Sequence, residues 1–168
     1  MSSSALLNSH RLAPENPLPA AYEDSWEALK WHGDFNRFYI GGDTAGANIA
    51  HNAVLRAGVE SESVSLLGGM EITGAVLAFP LFWSSEPVEG FEESSAMQVA
   101  LINPLASGAP SLASLGCHKV LIFVAGKDDL RDRGIWYCDA VKESGWEGGG
   151  TASSGGRGTL LSDLPSSN

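Results

Sequence analysis

Apolar positions recur along this chain with two different periods. Tyr22, Trp26 and Leu29 stand at i, i+4 and i+7, which predicts a helix over Ala20–Trp31 with one apolar stripe. Phe38, Tyr39 and Ile40 form a short β-prone run, read as a strand from Arg37 to Ile40. A helix-like run follows from Ala45 to Ala57, and Gly58 is placed to stop it. The continuous apolar stretch Ile72–Trp83 reads as a buried parallel strand, and Lys119–Ala125 as another. Between them the segment from Glu86 to Ala109 is mixed and loop-like, with a short helix near Ala96 to Leu101. Ile135, Cys138 and Val141 mark one side of a helix over Arg133–Ser144, ended by Gly145. Strands alternating with helices predict an α/β fold with a parallel sheet and right-handed crossovers.

The ends read differently. Residues 1–9 are short, polar and expected to fray. Pro14, Pro17 and Pro19 make an extended connector, because each proline disfavours helix in the residue before it. Past Glu147 the composition turns to Gly, Ser and Thr, so residues 148–168 are expected to form a flexible tail behind a domain spanning 10–147.

Composition narrows the chemistry. Twenty acidic residues against ten basic ones give a net charge of −10. That excludes nucleic acid and anionic membranes as expected partners, since phosphate binding needs clustered Lys and Arg. No apolar run approaches the roughly 20 residues of a membrane span. The start, MSSSALLNSH, lacks a basic n-region and a long apolar core, so a signal peptide is not expected. The two cysteines, Cys117 and Cys138, read as free thiols, and the cytoplasm is the expected compartment. No His/Cys spacing calls for zinc. The glycines Gly41, Gly42 and Gly46 miss the dinucleotide spacing, so no cofactor or metal is expected.

One motif carries chemistry. Gly42-Asp43-Thr44-Ala45-Gly46 reads G-x-T-x-G, between a predicted strand and a predicted helix. An esterase elbow reads G-x-S-x-G in that context, the sharp turn lifting a hydroxyl clear of the sheet and the two glycines letting neighbouring backbone pass. Around it stand His10-Arg11-Leu12-Ala13-Pro14-Glu15, then Pro17 to Trp26 (PLPAAYEDSW), Gly41 to His51 (GGDTAGANIAH), Asn103-Pro104-Leu105, and Ala125 to Asp132 (AGKDDLRD). In that order, over residues 10 to 147, these motifs resemble the plant carboxylesterases of the α/β-hydrolase fold-3 family. That is the branch similar to hormone-sensitive lipase, which includes the gibberellin receptor.

The resemblance implies hydrolysis of carboxylic esters by a Ser-Asp-His triad, with a small-molecule ester or acid as ligand. Thr44 falls at the nucleophile position and Asp128 at the acid position, with Asp129 its adjacent competitor. The backbone amide of Ala45 falls at one oxyanion donor, with Asp43 as its elbow neighbour. No residue matches the family's histidine: His10, His32, His51 and His118 all precede Asp128. His51 lies two helical turns from Thr44, about 10 Å at 1.5 Å per residue, too far to be its base. The four histidines are read as surface or packing residues, and Asp128 as a solvated carboxylate near Arg131 and Arg133. The HGGG segment that supplies the family's other oxyanion donors is absent, and ALKW runs into HGDF where family members carry a longer loop.

The expectation is a truncated, catalytically impaired carboxylesterase-like chain. The alternative is a non-catalytic binder of small acids resembling the gibberellin receptor. Three neighbouring strands are expected, with both sheet edges bare and open to edge-strand self-association.

Overall fold

Trp26, the centre of the first predicted stripe, is 2% exposed, and the helix around it runs Ala20–Trp31 (α1). The computed structural model describes residues 9–31, 37–60, 71–83, 96–155 and 160–161. Along these follow β1 (Arg37–Asp43), α2 (Ala45–Glu60), β2 (Glu71–Ala78), α3 (Ala96–Ile102), a 3-10 turn at Leu112–Ser114, β3 (Lys119–Ala125), α4 (Arg131–Glu143), β4 (Gly149–Gly155) and β5 (Leu160–Leu161). The expected fraying of residues 1–8 lies outside the described residues.

The strands lie in the order β1-β2-β3-β4-β5. The first four are mutually parallel, and β5 is antiparallel to β4. Chain order equals spatial order through the parallel part, so right-handed crossovers put every connecting helix on one face. α2 packs on β1 and β2, α4 packs on β3 and β4, and α1 packs outside α2. One core fills the space beneath: Ala47, Ala50 and Val54 of α2, Tyr137, Cys138 and Val141 of α4, and Ala75, Leu77, Val120, Ile122 and Val124 of the sheet. Burying each large aliphatic side chain there contributes about 1.5–3 kcal/mol. On the opposite face Tyr39 is exposed while Val76, Leu121 and Phe123 are half-buried.

Four differences from the sequence reading bear on the sheet and its contacts, beside shifts of one or two residues such as α4 starting at Arg131 and ending at Glu143. β1 continues through Gly41 and Gly42 to Asp43, because its pairing with Gly74 to Ala78 of β2 outweighs glycine's poor strand propensity. β2 ends at Ala78, where Phe79 turns to φ 48°, so the predicted strand from Phe79 to Trp83 is loop. Gly58 does not stop α2, which runs on to Glu60. Gly58 is instead a point of close approach: a Cβ there would collide with the Ser114 carbonyl and lie 2.6 Å from the Gly116 nitrogen. The Gly116 N–H donates to the Val54 carbonyl at 3.0 Å across the same contact.

The fourth concerns the expected tail. Residues 149–155 form β4 along the whole of β3, from Lys119↔Gly149 to Ala125↔Gly155. The β3 edge expected to be bare is therefore covered. Gly and Ser have little strand preference of their own. The amides and carbonyls of β3 bond backbone, whatever side chains that backbone carries.

Candidate active site

The elbow forms where the motif places it. β1 ends at Asp43, α2 starts at Ala45, and Thr44 between them sits at φ 49°. For a β-branched residue this left-handed conformation is an outlier that costs on the order of 1–3 kcal/mol. Three backbone hydrogen bonds hold it. The Thr44 N–H donates to the Ala78 carbonyl at 2.9 Å, and the Thr44 carbonyl accepts from Asn48 at 3.3 Å and Leu81 at 3.1 Å. Phe79, the residue after β2, is also at positive φ, and its N–H donates to the Phe123 carbonyl at 2.8 Å. Two strained non-glycine residues thus stand side by side at the C-terminal ends of β1 and β2, the end of a parallel sheet where ligands bind.

The two elbow glycines are not equivalent. A Cβ on Gly42 would collide with the Gly46 carbonyl group and lie 2.9 Å from the Ala47 nitrogen. A Cβ on Gly46 would meet nothing closer than an Asp43 carboxylate oxygen at 3.9 Å. Asp43, Thr44 and Ala45 are all exposed residues at this end of the sheet. Amides of the first helical turn have no intrahelical acceptor, which is the property on which the expected oxyanion role of the Ala45 N–H rests.

Asp128 lies in the turn after β3, two strands over from the elbow and at the same end of the sheet, about 10 Å away at 4.8 Å per strand. It is half-buried. Its Oδ1 accepts the Leu130 N–H at 2.9 Å and its carbonyl accepts the Arg131 N–H at 3.0 Å, so it shapes the entry to α4. The two arginines expected near it are engaged elsewhere. Arg131 pairs with Asp132 at 2.8 Å, and Arg133 lies 4.3 Å from the centre of the Trp83 ring. Asp129 is exposed.

No described histidine reaches Thr44. His51 is 2% exposed, with Nδ1 2.8 Å from the Tyr137 hydroxyl and its ring edge-on to Phe82 and Tyr137. Burial pushes its pKa down to about 3, so it is a neutral core side chain. His118 is on the exposed rim at the N-terminal end of β3, 3.0 Å from Glu71. His10 is half-buried, and its Nδ1 has no partner among the described residues. His32 lies outside the described residues. Among the described residues no three His, Cys, Asp or Glu side chains gather as metal ligands, and no helix is long and apolar enough to cross a membrane.

Asn48 is the site residue that motif reading passes over. Its Oδ1 accepts the Tyr22 hydroxyl at 2.7 Å and the Asn52 amide at 3.2 Å, and its Nδ2 donates to the Leu81 carbonyl at 3.1 Å. Leu81 in turn donates to Thr44, so Asn48 ties α1 and the loop after β2 to the elbow. The available signal was an amide among the alanines on the apolar side of α2. Arg11, inside the HRLAPE motif, has a structural role as well: its backbone N–H and guanidinium clamp Asp24 of α1 at 2.7–3.1 Å. A separate groove of about 490 Å³ opens between α1, α2 and α3, lined by Tyr22, Trp26, Arg56 and Leu101, and Thr44 is not part of it.

Comparison with known proteins agrees with this geometry. A family model described as the alpha/beta hydrolase fold matches residues 4–148. The chain is 59% identical to a 2-hydroxyisoflavanone dehydratase of Glycyrrhiza echinata, over 83% of this chain and 53% of that protein. It is 44% identical to a protein of the same name from Glycine max, over 82% and 54%. A probable carboxylesterase 2 of Arabidopsis thaliana is 35% identical over 83% and 52%. Among solved structures, an esterase from the archaeon Pyrobaculum calidifontis superposes with a TM-score of 0.59 at 24% identity, over 88% of this chain and 55% of the other. An arylesterase superposes with a TM-score of 0.65 at 20% identity, over 90% and 57%. The chain spans about half the length of the curated relatives it matches.

Proposed function

The chain belongs to the α/β-hydrolase fold family, and on that premise we propose that it carries the elbow and acid loop of a carboxylesterase-like site but turns over esters weakly or not at all. The observation behind this reading is the state of Thr44. It is exposed at a formed elbow, yet the nearest histidine in sequence, His51, is buried against Tyr137 and neutral. An alcohol attacks an ester only as its proton is withdrawn, and the triad's acid works by orienting the imidazole that does this. Among the described residues Asp128 orients no imidazole: its Oδ1 accepts the Leu130 N–H instead. Removing one oxyanion donor typically lowers the rate by about 10²–10³, and on this reading the Ala45 amide supplies one such donor. Hydrolysis of p-nitrophenyl acetate by the purified chain is expected to stay near the uncatalysed rate and to be indifferent to Thr44→Ala. Turnover that Thr44→Ala abolishes would refute the reading.

A second reading is favoured by the identities of 59% and 44% to proteins named 2-hydroxyisoflavanone dehydratase. Dehydration moves a carbon-bound proton to a base and breaks a carbon–oxygen bond, the hydroxyl leaving as water. It forms no acyl-enzyme. A threonine hydroxyl then serves as a hydrogen-bond partner, and its methyl group does not obstruct an attack that never happens. On this reading the elbow and the Asp128 loop are one part of a longer dehydratase. Conversion of 2-hydroxyisoflavanone followed by chromatography tests it. It requires product from the longer protein, less product after Thr44→Ala, and a retained preference for dehydration over ester cleavage.

A further inference from the structure

Phe79 holds the second strained backbone of the site. It follows β2 directly at φ 48°, a conformation that bulky side chains adopt only as outliers. The bonds that impose it all lie within the described residues. The Ala78 carbonyl accepts the Thr44 N–H at 2.9 Å, the Phe79 N–H donates to the Phe123 carbonyl at 2.8 Å, and the Leu81 N–H donates to the Thr44 carbonyl at 3.1 Å. The turn is thus fixed by β3 on one side and by the elbow on the other, whatever else covers this end of the sheet. Glycine takes this φ without strain, and asparagine takes it at little cost. The sequence keeps a phenylalanine there.

The core does not account for that choice. Leu77, Pro80 and Phe82 around it are each less than 2% exposed, whereas Phe79 is 37% exposed and stands outside the core cluster of the described residues. Its position in the sheet does account for it. Asp43↔Ala78 is the last paired position of β1 and β2, so Thr44 and Phe79 are the next residue on each strand, about 5 Å apart at the spacing of neighbouring strands. β2 lies between β1 and β3, which puts Phe79 between the elbow and the Asp128 loop. Strained residues that persist in a fold cluster at ligand clamps, and the outlier is the observation from which the role is inferred. We propose that Phe79 is the specificity-determining residue of the elbow site, its ring packing against an aryl group of the ligand beside Thr44.

The proposal rests on the reading of the elbow as a small-molecule site, and it adds what that site selects: an aromatic ring over a saturated one. An aliphatic side chain at position 79 would cover an apolar ligand equally well. A ring adds the offset or edge-on attraction between aromatic systems, a gain in affinity of about two- to tenfold. On the same reading the Ala45 N–H, at the start of α2, donates to a carbonyl oxygen of the ligand.

Acetophenone and cyclohexyl methyl ketone test it, because they differ in the ring and neither undergoes ester hydrolysis or dehydration. Saturation-transfer difference NMR on the full chain gives an apparent Kd for each. Acetophenone is expected to bind about two- to tenfold tighter. Phe79→Leu keeps an apolar side chain at the strained position and should bring the ratio to about one or below. Phe79→Tyr should retain it. Phe79→Gly should abolish it while the melting temperature stays level or rises, since glycine relieves the turn. A ring that only held the turn together would act in the opposite sense, its removal lowering Tm without changing the ratio. Equal affinity for the two ketones, a ratio indifferent to Phe79→Leu, or a Tm lowered by more than about 4 °C in Phe79→Gly would each overturn the proposal. Binding of neither ketone would overturn it together with the small-molecule reading of the elbow. The ratio is read without ester cleavage, so it stands or falls separately from the p-nitrophenyl acetate result.

Discussion

At Thr44 the chain holds a β-branched residue at φ 49°, and the means lie in its neighbours. Gly42 lets the backbone of Gly46 and Ala47 pass within reach of where its own Cβ would be, and Ala78, Asn48 and Leu81 fix both polar groups of the Thr44 backbone. This separates two glycines that a motif treats alike. Gly42→Ala must push the first turn of α2 away from β1, and is expected to cost about 1–3 kcal/mol, as forced contacts in packed regions do. Gly46→Ala has open space and a helical position, so it should be neutral or stabilising by up to about 1 kcal/mol. Urea denaturation of the two variants checks both. Equal losses would mean that the elbow does not pack as described. The need for small residues was legible in the spacing. Which glycine carries it depends on where the returning helix lies, and no local pattern holds that.

Between elements, a buried contact joins the helices α2 and α4: the Tyr137 hydroxyl of α4 against His51 Nδ1 of α2, 2.8 Å apart, with Phe82 edge-on to the His51 ring and tilted against the Tyr137 ring. Burial lowers the His51 pKa from 6.5 to about 3, whereas an unfolded histidine binds its proton near 6.5. Between those values the unfolded chain holds more protons, so stability rises with pH there. The contribution is complete above pH 6.5 and is lost as pH falls from 6.5 toward 3. Denaturation midpoints from pH 7.5 down to 5 should fall with a slope of up to about 1.4 kcal/mol per unit below pH 6.5. His51→Leu should flatten that slope. The range keeps clear of Asp24, whose pKa the Arg11 guanidinium lowers to about 2. Tyr137→Phe leaves the ring nitrogen without a partner and should cost about 1–3 kcal/mol while keeping the slope. The sequence set His51 too far along its helix from Thr44 to be a base and read it as a surface or packing residue. Its partner, 86 positions later, was beyond any periodicity.

At the scale of the whole molecule, the described helices cover one face of the sheet. Its helices collect on a single face because the strands advance in one direction, and that follows from chain order and crossover handedness alone. What closes the far side of β3 does not. Residues 149–155 are Gly, Thr, Ala and Ser, a composition read as a flexible tail, and they pair with β3 at seven positions. Deleting residues 149–168 should therefore lower the urea midpoint and raise light scattering at high concentration, since it bares the β3 edge that β4 covers. A deletion variant as stable and as soluble as the full chain would show that β4 contributes nothing to the sheet.

Periodicity and the short G-x-T-x-G motif by themselves determined α1, the placement of β2 and β3, the elbow between β1 and α2, and the α/β class, because each depends on neighbours within a few residues. The motif order likewise identified the family and placed Thr44, Ala45 and Asp128 at one end of the sheet. Tertiary structure alone decided that Gly58 is a contact rather than a stop, that Asn48 anchors the elbow, that His51 faces Tyr137, and that a glycine- and serine-rich segment becomes a strand. Those outcomes rest on groups brought together from distant parts of the chain. A backbone edge, a carbonyl or a ring nitrogen then selects its partner by position, and no local pattern of side chains records that position.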